Sequence, residues 1–547
     1  MDQGQKLRIG ILISDTDNLR NDQFNLIQHV VSHPSLELCV LIGKSSGGKG
    51  KFAYLYNNWS NEKGNTLLKR LFFFHLKWES KLFKQWKTVD PGKIIKEISG
   101  VERITISPDE GDPDKNNHAF DRIKEIGLDL IIASDNIFCP PELSALVQKG
   151  IWQLWFGENL KDGSGPSGFS EIVTRESFCT VLLIQQSGGK ASPMLIDKAY
   201  YNRDWFFMKS FFDTRYAALG LLFKNIERVI ANPDVTGSPI AAAQNSVIPG
   251  MKYLFRYMRS YYSRLAFIAI SRPLYKIFHI KRECWALFLG EGDFFKADIR
   301  RSAPQPMPKN EFWADPFLIS RDGKSYVFFE NYSYETKIAK ISAGSIENNR
   351  IKDVRDVLVK NYHLSYPHLV EEDGVLYLIP ETGGSMRLEV YKCVEFPYSW
   401  ELYSTHFEGE YIGDTTYFQD EKGDRWLFLN KGKSINSELY IYKIDNLRME
   451  RVVPHAMNPV YIDCRKARNA GSVFKYEEEY YRPNQRNIDG IYGRELGINK
   501  IKVLTLTEYE EELIRVIKPD FKKGLQAIHT FNQIPGLFVV DGCYTFK

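Results

Sequence analysis

Asp315–Glu330 reads DPFLISRDGKSYVFFE and Tyr366–Glu381 reads YPHLVEEDGVLYLIPE, and the two segments align without a gap. Pro316/Pro367, Leu318/Leu369, the Asp322-Gly323/Asp373-Gly374 turns, Tyr326/Tyr377 and Glu330/Glu381 coincide. Each unit is an apolar strand, a tight Asp-Gly turn and a second apolar strand ending on a carboxylate, the pattern of a β-hairpin. Its return after about fifty residues is the spacing of a propeller blade. The hairpin recurs at Asp414–Asn430 with one residue added in the turn, more loosely at Ala470–Gln485, and in shortened form at His529–Asp541. Starts at 315, 366, 414, 470 and 529 predict a five-bladed β-propeller. Leu388–Cys393, Glu438–Ile444 and Ile498–Leu506 supply outer strands. The fifth copy ends the chain, so an earlier strand is expected to close the ring, and Trp285–Leu289 (WALFL) is the candidate.

The innermost strand of a blade runs along the central channel, so the first residues of the repeats face one shared funnel. Asp315, His368, Asp414, Arg468 and His529 lie at those starts or within two residues of them, while Glu330, Glu381 and Gln485 close second strands. Carboxylates from different blades at roughly 5–9 Å can act as acid and base at a glycosidic centre, or hydrogen-bond sugar hydroxyls without catalysis. The candidate catalytic set is therefore Asp315, Glu330, Glu381 and Asp414, with His368, Arg468, Arg482, Gln485 and His529 as candidate substrate contacts. Asp322 and Asp373 are turn formers. No metal-ligand spacing is visible, and no metal is expected.

The front half alternates differently. LRIGILI (7–13), a helical stretch at Asp22–Val31, Leu36–Ile42, DLIIAS (129–134), a helix at Pro141–Gln148 capped by Gly150, and IWQLWF (151–156) read as β-α-β units. That alternation predicts a parallel sheet with helices on its faces. No GxGxxG follows the first strand, so no dinucleotide fingerprint is present. The stretch DLIIASDNIFCPPELSALVQKGIWQLWFGENLKDGSGPSGFSEIV (129–173) resembles the N-terminal domain of the methionyl-tRNA formyltransferase family. The resemblance implies a formyl-donor site built on an Asn-x-His pair and a later Asp. This chain has Gln153 and Trp155 at the pair, and Gln186–Lys190 offers no Asp. An indole cannot accept a proton at neutral pH, so formyl transfer and tetrahydrofolate are not expected. Glu158 is the one carboxylate at that place and is kept as a candidate substrate contact.

Carried by WADPF (313–317), FFEN (328–331), HLSYPHLVEEDG (363–374), IPET (379–382), RNAG (468–471), YRPNQ (481–485) and HTFN (529–532), the back half resembles a second family. It is the five-bladed domain of plant glucosaminyl inositolphosphorylceramide transferases and of bacterial surface-polysaccharide proteins. A weaker similarity joins the WADP start to five-bladed arabinanase-type glycosidases, whose carboxylate set Tyr366 departs from.

Between Asp234 and Glu283 there is no Asp or Glu, while eight Lys and Arg residues alternate with aromatics. At 100° per residue, Leu254, Tyr257, Tyr261, Leu265 and Ile268 form one stripe, expected to lie in an anionic membrane interface. LLKRLFFFHLKWESKLFKQWK (67–87) has the same character. A net charge of +4 over 547 residues does not argue for nucleic acid, and 43% hydrophobic content is ordinary for a globular chain. The seven cysteines are scattered and form no CxxC pair, so neither a zinc site nor a disulfide framework is indicated. No secretory segment of usual form and no run of about 18 apolar residues is present, which predicts a cytoplasmic protein, peripheral on the inner membrane face through residues 67–87 and 252–282.

The reading is a multidomain chain: a formyltransferase-like α/β domain (1–204), a basic aromatic helical bridge (205–283) and a five-bladed β-propeller (284–547). Its expected function is transfer of a nucleotide- or lipid-linked sugar in surface-polysaccharide or glycolipid biosynthesis, with a nucleotide sugar as donor and no required cofactor. Alternatives are an amino-sugar N-formyltransferase, a non-catalytic glycan-binding scaffold, and a glycosidase.

Overall fold

A computed structural model describes residues 6–13, 16, 19–44, 66–82, 98–106, 116–134, 140–157, 169–187, 193–233, 237–240, 251–277 and 283–545. The chain divides into two compact units, Met1–Arg264 and Leu265–Lys547. No helix among the described residues is long and apolar enough to cross a membrane.

The front unit holds an eight-stranded sheet. Its order is Glu102–Ile106, Leu36–Lys44, Leu7–Ile13, Leu130–Ala133, Ile151–Phe156, Phe178–Gln186, Met194–Asn202 and Ser238–Pro239. The first five strands are parallel neighbours and the last three join antiparallel. The parallel-sheet expectation therefore holds up to Phe156; the next strand, reached after helix Phe169–Thr174, pairs antiparallel. Strand residues such as Ile9, Ile11, Ile131 and Ile132 are fully buried, as expected for strands covered on both faces. The helix expected at 141–148 spans Pro141–Ala145, and the turn after it places Gly150 at φ +67°. A Cβ there would lie 2.2 Å from the Gln186 carbonyl oxygen, so this position needs glycine on two counts.

The back unit is a five-bladed propeller. Its blades run from Glu311 to Leu358, Ser365 to His406, Ile412 to Pro454 and Phe474 to Ile517, with a fifth assembled from two distant segments. In that fifth blade Glu283–Glu291 pairs antiparallel along the full length of Leu537–Thr545, so the segment containing Trp285–Leu289 closes the ring. The second-strand residues Phe328, Leu378, Phe428 and Val539 have no exposed surface.

Three blades share one irregularity that decides the site. Ala314 pairs with Glu330 and Phe317 with Phe328; Ser365 with Glu381 and His368 with Ile379; Gly413 with Asn430 and Thr416 with Phe428. Two residues thus oppose one at the same place in each blade, a β-bulge. The first bulged residue is left-handed in every case: Asp315 at φ 49°, Tyr366 at 47° and Asp414 at 39°. Aspartate tolerates that region, but a bulky tyrosine rarely enters it.

Tyr366 is held by its hydroxyl, which accepts from the Gly471 amide at 2.7 Å and lies 2.8 Å from Thr416 Oγ1. Replacing Tyr366 by Phe leaves the buried Gly471 amide without its acceptor. The expected loss is about 1–3 kcal/mol in urea unfolding, and an unchanged midpoint would refute this role for the hydroxyl.

Candidate functional site

The bulges turn backbone amides sideways, and side chains of neighbouring blades accept them. The Asp315 amide donates to Asp541 at 3.1 Å, the Tyr366 amide to Asp315 at 3.2 Å, the Asp414 amide to Glu381 at 3.1 Å, and the Asn469 amide to Asn430 at 3.1 Å. The Phe531 amide completes the circuit to the Ala470 carbonyl at 2.8 Å. The carboxylates that close second strands are therefore blade-to-blade ties as well as candidate chemical groups.

Two polar clusters result. In the first, Asp414 receives Arg468 Nε at 2.5 Å, Arg468 Nη2 at 3.2 Å and Gln485 Nε2 at 2.9 Å. Arg468 also reaches Glu381 at 3.3 Å and Asn436 at 2.8 Å, while the Tyr411 hydroxyl donates to Glu381 at 3.0 Å. In the second, His529 Nδ1 lies 2.5 Å from Asp541 and Nε2 lies 3.6 Å from Asp315, with the ring stacked on Trp285 at 3.9 Å. Thr530 Oγ1 donates at 2.5 Å to the same Asp315 oxygen, Oδ1, that His529 Nε2 faces, while Oδ2 accepts from the Tyr366 amide. Tyr492 joins the clusters: its ring meets His529 edge-on at 5.5 Å and lies 5.1 Å from the Arg468 guanidinium. Tyr492 is also exposed, whereas the acids are buried, so it is the face a ligand meets first.

Burial is the main cause of the electrostatics here. It pushes the Asp315 carboxyl up to about 7, a rise opposed by His529 and reinforced by Glu330, Asp414 and Asp541. Asp414 is likewise pushed up to about 7 by burial, with Arg468 opposing and Glu381 reinforcing. His529 moves up to about 9 because Asp541 and Asp315 outweigh its burial. A carboxyl near 7 can hold or release a proton at neutral pH, the property a general acid or base requires. Ligand atoms of Asp315, His529 and Asp541 come within 4.8 Å of one another, so among the described residues this trio has metal-ligand spacing. A cation there would have to displace the proton that His529 directs at Asp541.

These shifts set a pH dependence. His529 contributes stability that is complete below its unfolded value of 6.5 and lost as pH rises through about 9. Asp315 and Asp414 act in the same sense, because a raised carboxyl favours the fold when protonated and costs stability as pH rises through about 7. His368 works oppositely on the acid side: burial takes it down to about 4, so its contribution is lost as pH falls below 6.5 toward that value. Unfolding free energy is thus expected to fall on the order of 2 kcal/mol from near pH 6.5 to near pH 10. His529→Gln is expected to flatten that limb; a flat wild-type profile would contradict the assignment.

The structure brings Asp315, Glu381, Asp414, Arg468, Gln485 and His529 into this network. Glu330 is buried beside the set, with His363 Nε2 3.2 Å from its carboxylate. His368 faces a blade junction, where its Nε2 accepts the Tyr417 amide at 3.0 Å. Arg482 lies within blade four, paired with Glu511 at 2.8 Å and bonded to Asn469 and the Lys466 carbonyl. Both members of that pair are fully buried, so Arg482 serves the blade in this structure. Glu158 lies outside the described residues. Sequence reasoning missed Asp541, Tyr411, His363 and Tyr492. Asp541 had a signal, since it ends the fifth hairpin just as Glu330 and Glu381 end theirs.

A family profile described as glucosamine inositolphosphorylceramide transferase 1, N-terminal, matches residues 301–533. The glucosamine inositolphosphorylceramide transferase 1 of Oryza sativa subsp. indica is 31% identical over 228 residues, covering 40% of this chain and 30% of that protein. Its Arabidopsis thaliana counterpart is 32% identical over 213 residues, covering 38% and 27%. The chain therefore spans less than a third of either relative's length. Among solved structures, CoXyl43, a GH43 β-xylosidase/α-arabinofuranosidase from a compost microbial metagenome, is 14% identical. It covers 44% of this chain and 92% of its own, at a TM-score of 0.31.

Proposed function

We propose that the propeller binds a sugar carried on a nucleotide or a lipid and takes part in its transfer during glycolipid or surface-polysaccharide assembly. The observation that carries this reading is the pair of buried carboxyls, Asp315 and Asp414, both held near 7 within one polar network. Asp315 would take the proton of the acceptor hydroxyl. Asp414, locked between Arg468 and Gln485, would fix the orientation of sugar hydroxyls. Tyr492 offers its ring for stacking beside them. The plant relatives are named glucosamine inositolphosphorylceramide transferase 1, which supports a glycolipid acceptor.

The front unit reads as a formyltransferase-like domain that does not transfer formyl groups. Gln153 is buried and accepts from Gln186 Nε2 at 3.0 Å, and Trp155 stands where a histidine would be needed. Neither side chain can shuttle an amine proton.

Titration calorimetry of the full chain with nucleotide sugars and with tetrahydrofolate tests both statements. A nucleotide sugar is expected to bind, about tenfold more weakly to Tyr492→Ala, and folate is expected not to bind. Folate binding without sugar binding would overturn the reading.

A further inference from the structure

In the front unit, helix Thr66–Leu82 packs against the segment Met251–Arg264 of helix Met251–Ile277. His75 meets Tyr261 edge-on at 4.5 Å, and Phe72 meets Tyr257 at 6.3 Å. Glu79, fully buried, accepts from the Tyr257 hydroxyl at 2.8 Å and from the Met208 amide at 2.9 Å. That amide belongs to the first turn of helix Phe207–Ala231, so one carboxylate joins three helices. Leu254, Tyr257 and Tyr261, the stripe the sequence reading assigned to a membrane, are buried in this packing. The aromatic spacing is real, but it serves the protein interior.

A different face is left open. On helix Thr66–Leu82, Phe72, His75, Leu76 and Glu79 are buried. About 105° round the helix from them, at 100° per residue, Leu71, Phe74, Trp78 and Leu82 form a second apolar stripe, and it is exposed, Phe74 by 72%. Beside that stripe Arg70, Lys77 and Lys81 form an exposed basic one. The partner segment repeats the arrangement, with Phe255 (61%) and Tyr262 (45%) exposed next to Arg256 and Arg259. Trp78 and Tyr262 stack at 6.3 Å and 25°, so the two apolar stripes are continuous. The one acidic residue in the two segments is the buried Glu79.

A contiguous exposed apolar patch marks an interaction site, where scattered single residues would not. Its charge selects the partner: a second copy would bring like charges together, whereas anionic lipid complements them. We propose that this two-helix face docks on an anionic membrane surface. The stripe of Leu71, Phe74, Trp78 and Tyr262 enters the boundary of headgroups and acyl chains, and Lys77, Lys81, Arg256 and Arg259 meet lipid phosphates.

Flotation of the full chain tests this, with vesicles of phosphatidylcholine alone and of phosphatidylcholine mixed with phosphatidylglycerol. Binding is expected to the mixed vesicles, reduced by salt and weak on the neutral ones. Leu71→Ser with Phe74→Ser, both at exposed positions, is expected to weaken it at least about tenfold with an unchanged circular dichroism spectrum. Lys77→Glu with Lys81→Glu is expected to weaken binding to the mixed vesicles only. Equal binding to both compositions, no binding to either, or full binding by the Leu71/Phe74 variant would overturn the proposal. A dimer in sedimentation that this variant abolishes would assign the face to a second copy and overturn it too.

Discussion

Asp315→Asn is expected to lower sugar transfer by the full chain about a hundred- to ten-thousand-fold, the range for losing a positioned general base. The substitution is close to isosteric. An asparagine oxygen can still accept from the Tyr366 amide or the Thr530 hydroxyl, so the left-handed bulge at φ 49° keeps a tether. What disappears is a group whose proton affinity burial has raised to about 7. The loss should therefore sit in kcat, with KM for the sugar donor little changed, because the hydroxyl contacts of Asp414 and the stacking on Tyr492 remain. In the wild type the rate should climb as pH passes about 7 and Asp315 becomes ionised. That rise should be missing from the residual activity of the variant. Turnover within threefold or so of wild type would remove Asp315 from the chemistry and leave a binding scaffold as the better description.

Arg468→Met carries the largest expected structural effect. The guanidinium is the cation between two buried carboxylates, Asp414 at 2.5 Å and Glu381 at 3.3 Å. A methionine of similar length fills the space and leaves both acids without their cation. Breaking a buried pair in this way costs about 3–5 kcal/mol, enough to unfold a marginal domain. The cost depends on pH with a definite sign. Without Arg468 the folded-state affinity of Asp414 for protons rises further above about 7. The penalty is then complete above the variant's raised value and small below about 7, where Asp414 is protonated in either protein. Urea unfolding should accordingly show a large wild-type–variant gap at pH about 8 and a much smaller one at about 5. Arg468→Lys keeps the charge but not the two-pronged geometry and should lie between. A gap below about 1 kcal/mol at the higher pH would mean that the pair is not stabilising.

How much of this was legible differs between the two units. The hairpins were readable because alternation at period two and Asp-Gly turns are local signals, repeated at matching offsets from 315 to 541. The strand that closes the ring was readable from a topological need rather than from any pattern in WALFL itself. The repeat starts pointed to the funnel, although the alignment could not show that Asp315, Tyr366 and Asp414 are left-handed. That conformation depends on the neighbouring blade's acceptor, which lies dozens of residues away. Arg482 was misplaced for a related reason. It follows Tyr481 in a repeat, but strand alternation points it to Glu511 inside the blade. Tyr492 carries no repeat signal, since it sits in a connecting turn and gains its place through Arg468 and His529. In the front unit, helical periodicity found the apolar stripes and could not say which one the protein keeps for itself.

The closure of the ring has a consequence for how the chain is made. Glu283–Glu291 is synthesised before the other four blades, yet its partner Leu537–Thr545 emerges last. At roughly 5–20 residues per second, translation of the intervening segment takes tens of seconds. Throughout that time a strand with a fully apolar centre, Trp285 to Leu289, waits with its edge unpaired. Such an edge invites pairing with a stranger. The interval between the two strands is therefore the period of greatest hazard in this protein's biogenesis, and slowed elongation within the propeller should raise the aggregated fraction.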